Sequence, residues 1–115
     1  MNMTIHRGDD KVWTLTVKDK STGLVVDIST VIDIVLTVRP SLGGATFILK
    51  NLAGGVALTD PTNGVAEITI DAADTSSLSV SSHEYIFDVE VTNNDSTIET
   101  IAEGKFLVLP DVTHT

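Results

Sequence analysis

Any chemistry in this chain must come from three histidines, sixteen carboxylates and a few scattered polar groups, because it contains no cysteine. That excludes thiolate zinc sites, disulfide frameworks and cysteine nucleophiles. His6, His83 and His114 are far apart and form no local metal-ligand spacing, so they read as surface or turn residues. The close acidic groups are Asp9 with Asp10, Asp71 with Asp74, and Asp60 with Asn63. None has the spacing of a calcium-binding helix–loop–helix, and solvated turn carboxylates explain the same residues. Arg7-Gly8-Asp9 spells an integrin-binding tripeptide. A match of three residues is weak, and a turn in which Gly8 permits the bend is the favoured reading. Trp13 has the chemistry of a sugar-stacking platform, but it alternates with Leu15 and Val17, which predicts a place in the core. There is no nucleophile elbow, zinc-helix motif, phosphate-binding loop or dinucleotide fingerprint. A pair of carboxylates can be drawn from any acidic protein and points to no glycosidase. The chain is therefore expected not to be an enzyme, with no catalytic, cofactor-binding or metal-ligating residue.

The remaining composition narrows the class. With 115 residues, one domain over 1–115 is expected, long enough to bury a core without disulfides or a structural metal. At 42% hydrophobic and 20% charged, the chain has the balance of a folded domain. Seven Lys and Arg against sixteen Asp and Glu give a net charge of −9. That argues against phosphate-mediated binding of DNA or RNA, which needs clustered cations. The longest apolar run, Ile34 to Leu36 extended by Thr37 and Val38, is far too short to cross a membrane as a helix. No apolar signal segment follows the first residues, so synthesis in the cytosol of the producing cell is expected.

The elements that position these residues are strands, because the apolar period is two. Trp13, Leu15 and Val17 alternate with polar residues, as do Ile32, Ile34, Leu36 and Val38. Ala66, Ile68 and Ile70 repeat the pattern, and so do Tyr85, Phe87, Val89 and Val91. Such alternation suits half-buried antiparallel sheets. The pattern predicts strands at 2–6, 11–18, 24–27, 32–39, 45–50, 56–59, 64–70, 84–92 and 97–109. Turn chemistry separates them: Asp19 to Gly23, Pro40 to Gly44, Asp60 to Gly64 and Asn93 to Ser96. Residues 71–78 break the pattern, with helix-compatible alanines and an Asp able to cap. One helical turn crossing between sheets is expected there, anchored by Leu78. In the last strand Ile101 and Phe106 have opposite parity, which predicts a bulge, with Gly104 as its natural site. Short strands at regular spacing indicate an all-β sandwich or barrel.

The order of segments adds a resemblance. Arg7 to Asp10 precedes the strand Val12 to Val17; a Gly23 turn leads to Leu24-Val25-Val26-Asp27-Ile28-Ser29; a strand then ends in Val38-Arg39-Pro40. Later come Asn63 to Ile70, Ala73-Asp74-Thr75, Tyr85 to Val91, Ile101 to Val108, and Pro110 to Thr113. This succession, covering nearly the whole chain, resembles the small immunoglobulin-like structural proteins of tailed bacteriophages. It is similar to the N-terminal domain of BppU-type upper baseplate proteins. The resemblance implies an all-β, immunoglobulin-like antiparallel β-sandwich with one short helical turn near 71–78. It further implies a non-enzymatic virion component, associated with the tail, baseplate or fibre attachment. Capsid decoration or a head-fibre role is an alternative, as is a receptor- or carbohydrate-binding module. The implied partners are other virion proteins, in multiple copies per particle or as a homo-oligomer, with no nucleic acid and no membrane. The expected contacts are Met3 and Ile5 of the first strand and Pro110, Asp111, Val112 and Thr113 of the tail. Both termini carry backbone groups able to extend a neighbouring sheet.

Overall fold

A computed structural model describes residues 2–40, 44–76 and 83–110, with the backbone alone for His83. Among the described residues eight strands form: β1 (Asn2–His6), β2 (Lys11–Thr16), β3 (Asp33–Arg39), β4 (Ile48–Lys50), β5 (Val56–Asp60), β6 (Val65–Ile70), β7 (His83–Thr92) and β8 (Ile98–Leu109). They build a five-stranded sheet ordered β1-β8-β7-β3-β4 and a three-stranded sheet ordered β2-β6-β5. The two sheets pack as an immunoglobulin-like β-sandwich. Alternation makes this possible: Ile34, Leu36 and Val38 from β3 and Phe87, Val89 and Val91 from β7 point inward, facing Ala66, Ile68 and Ile70 of β6. Phe106 and Val108 of β8 and Met3 and Ile5 of β1 continue the inner face of the larger sheet.

Several local expectations need correction. The sandwich is antiparallel except at one edge, where β1 pairs with β8 in parallel, Asn2 opposite Lys105 through His6 opposite Leu109. First and last strands need no tight connection, so nothing forces them into a hairpin. Residues 24–27 form no strand. The Asp19 carboxylate accepts from the Ser21 and Thr22 amides at 2.8 and 3.0 Å, closing a tight turn. A single bridge, Lys18 to Val25, follows before the chain turns away. The fourth strand is shorter than 45–50, because only residues 48–50 reach the ladder of β3. Ile32 lies before the start of β3 and is 56% exposed, although its amide donates to the Thr92 carbonyl at 2.8 Å.

The bulge in β8 is real but sits elsewhere. Val89 pairs with Ala102 and Glu90 with Thr100, so Ile101 is the extra residue, while Gly104 stays in register opposite Phe87. The bulge lets both Ile101 and Ala102 pack against the core.

The expected crossover between sheets is present as α1 (Ala72–Thr75), between β6 and β7. Asp74 accepts from the Asp71 amide at 2.8 Å, fixing the first turn. Thr75 is its fully buried residue; Leu78, the expected anchor, lies outside the described residues.

Candidate interaction surfaces

The tripeptide Arg7-Gly8-Asp9 is tied into the fold. It carries the chain from β1 in one sheet to β2 in the other. Arg7 is buried, and its guanidinium donates to the Ser76 carbonyl at 3.0 Å. The Gly8 amide donates to the Thr75 hydroxyl at 2.9 Å, with Gly8 at φ +80. An integrin-type ligand has to present Arg and Asp together at a loop tip, and here the Arg is spent on packing. Thr75→Val keeps the shape and removes the acceptor, leaving the Gly8 amide unpaired. Urea unfolding should show a loss of about 1–3 kcal/mol.

The carboxylates mostly organise turns. Asp10 accepts from the Ala72 amide at 2.7 Å, joining the start of β2 to α1. Lys50 on β4 closes the same corner, with its ammonium 2.9 Å from Asp74 and 3.7 Å from Asp71. Asp33 accepts from the amides of Ile34 and Leu52 at 2.8 and 3.0 Å. Asp60 accepts from the Asn63 side chain at 3.0 Å. Hydrogen bonds from Ser29 hold the Asp27 carboxyl below the usual carboxylate range, and bonds from Thr97 do the same for Asp95. The roles of Asp10 and Asp33 carried no local sequence signal, because their partners are 62 and up to 19 residues away. His6 is exposed; the His83 side chain and His114 lie outside the described residues. Among the described residues no group of three His, Asp or Glu is placed to hold a metal ion.

The aromatic residues form no open platform. Trp13 is half-buried and meets Phe106 edge-on, with centroids 5.5 Å apart and planes at 90°. Lys11 places its ammonium 5.9 Å from the Trp13 ring. Tyr85 stacks on Phe47 at 4.6 Å and 11°, and desolvation raises its phenol pKa. Acrylamide should therefore quench Trp13 fluorescence well below the level of the unfolded chain. Quenching equal to that level would place the indole on an open binding face.

The exposed parts of the sandwich are sheet edges and outer faces. β1 and β4 end one sheet, β2 and β5 the other. β4 has three residues, and β5 is irregular between Leu58 and Asp60; both features discourage pairing. Met3 and Ile5 are 4% and 2% exposed, so their side chains belong to the domain's own core and not to a contact surface. The backbone edge of β1 and its alternate side chains, Asn2 and His6, face outward. Pro110 is half-buried at the end of β8; Asp111, Val112 and Thr113 lie outside the described residues. On the outer face of the larger sheet, Thr37, Arg39, Ile86, Asp88, Glu103 and Lys105 surround a shallow groove of about 520 Å³. In comparison with known proteins, the chain matches no family model and no curated protein.

Proposed function

We propose that this domain is a non-enzymatic structural component of a tailed-phage virion, placed at the tail, baseplate or fibre attachment. The observation that carries the reading is the ordered succession of segments, because those segments are the ones that build the sandwich. Val38-Arg39-Pro40 ends β3, Asn63-Gly64 leads into β6, Ala73-Asp74-Thr75 lies in α1, and Tyr85 to Val91 lies in β7. The use of polar side chains supports it further: the carboxylates and Arg7 fasten turns and crossovers. A module of this kind works by edge and face contacts, and many copies on one particle make weak contacts sufficient.

The partners in this reading are other virion proteins, and the tail from Pro110 onward extends a neighbouring chain. A tagged chain produced during infection should co-sediment with particles, and removing residues 110–115 should reduce its incorporation. Unchanged incorporation of the shortened chain would refute the role of the tail. Failure of the full chain to co-sediment would refute the virion role.

A further inference from the structure

The sequence contains one Asn-Gly pair, Asn63-Gly64. Asparagine before glycine is the pair most prone to lose its side-chain amide spontaneously, because glycine has no Cβ to shield the attacking nitrogen. In that reaction the Gly64 backbone nitrogen attacks Asn63 Cγ. The new N–C bond closes a succinimide ring, the Cγ–Nδ2 bond breaks, and the proton of the Gly64 amide leaves with the side-chain nitrogen as ammonia. Water then opens the ring at either carbonyl, giving aspartate or isoaspartate. Water is the only co-reactant, so local geometry decides whether the site reacts.

The native turn opposes that geometry at both reacting groups. Asn63 is the last residue of a 3-10 turn, Pro61–Asn63, and the Gly64 amide closes it by donating to the Pro61 carbonyl at 3.1 Å. Ring closure takes Asn63 out of the helical backbone region, which turns the Gly64 nitrogen and breaks that bond. Gly64 has no room to turn. Its carbonyl accepts from the Val17 amide at 2.8 Å, and the place where a Cβ would stand is 2.7 Å from the Val26 carbonyl oxygen and 2.8 Å from that of Val17. The Asn63 side chain is tied as well, donating to the Asp60 carboxylate at 3.0 Å. A carboxylate so close also opposes the negative charge that builds on the Cγ oxygen during attack.

We propose that Asn63 is a succinimide-forming modification site that the folded turn keeps closed and that reacts only when this turn comes away from Val17 and Val26. The modification is then one-way. Isoaspartate adds a methylene to the main chain just before β6, the central strand of the smaller sheet, where the packing around Gly64 leaves no space for it. A chain that ages while open cannot rebuild the turn. This site goes beyond the virion reading and does not depend on it.

The test is peptide mapping of the full-length chain held at mildly alkaline pH, with and without denaturing guanidinium chloride. In denaturant Asn63 should convert to a mixture of aspartate and isoaspartate. Without denaturant the conversion should be slower by about tenfold or more, because it follows the open fraction of the turn. The isoaspartate form, separated from the aspartate form, should unfold at a lower urea midpoint than either the aspartate form or the unaged chain. Asp60 is exposed, so Asp60→Ala should fold normally. It should raise the native rate several-fold yet leave it below the rate in denaturant, since Gly64 stays packed. Equal rates with and without denaturant, an isoaspartate form as stable as the aspartate form, or indifference to Asp60→Ala would each overturn the proposal.

Discussion

Replacing Phe106 by alanine should cost about 3–5 kcal/mol of folding free energy. Phe106 is fully buried in β8, at 0% exposure, and its ring is the one that meets Trp13 edge-on. Removing it deletes the apolar contacts of a whole ring and leaves a cavity between the sheets that β-strands, fixed by their ladders, cannot close. An aromatic pair of this geometry adds about 0.5–1.5 kcal/mol beyond the buried area. A domain of this size has about 5–15 kcal/mol of stability in total, so the variant should sit near the edge of folding. Trp13 is the sole tryptophan and lies 5.5 Å from the deleted ring, so its fluorescence reports the loss directly. The matched control is Leu24→Ala, at a side chain 69% exposed. It should shift the urea midpoint by no more than about 0.5 kcal/mol. If Phe106→Ala were as mild as the control, the packing of β8 described here would be wrong.

Gly64→Ala should be the most damaging change at any turn. Gly64 has φ +75, which costs an alanine about 1–2 kcal/mol by itself. Here the space is also closed: a Cβ would stand 2.7 Å from the Val26 carbonyl oxygen and 2.8 Å from that of Val17. Both neighbours are backbone, and both are held in place. The Val17 amide donates to the Gly64 carbonyl at 2.8 Å, and the Val26 amide donates to the Val17 carbonyl at 2.9 Å. Relieving the clash therefore means breaking the junction of β2, β6 and the 24–26 segment. Gly23→Ala separates the two effects, since Gly23 has φ +72 but no atom within 4 Å of a Cβ. Thermal unfolding should show a small loss for Gly23→Ala and a clearly larger one for Gly64→Ala. Equal losses would mean that conformation alone, without close packing, sets the cost at Gly64.

The same contrast explains what could be read from the sequence. β3, β6 and β7 were legible because each is half-buried, so every second side chain is apolar. The turn at Asp60 to Gly64 was legible because Pro and Asn-Gly state their backbone preferences locally. The bulge was inferable from the parity of Ile101 and Phe106 but not its position. Register with β7 sets the position at Ile101, and a glycine three residues later was the wrong guide. Residues 24–27 carry a strand-like run of Leu, Val and Val, yet they lie past the end of the ladder and stay exposed. The parallel pairing of β1 with β8 joins residues about a hundred positions apart, beyond any local pattern. The expected contacts Met3 and Ile5 rested on the backbone groups of the first strand, and their side chains pack into the sandwich's own core.

The virion reading is tested most directly by mass spectrometry of purified tailed-phage particles from the cell that makes this chain. Peptides of the chain should appear with the other virion proteins in a reproducible ratio. Density from the assembled particle should then contain a two-sheet sandwich of five and three strands at the tail or baseplate. Absence of the chain from particles purified free of cell debris would contradict the account.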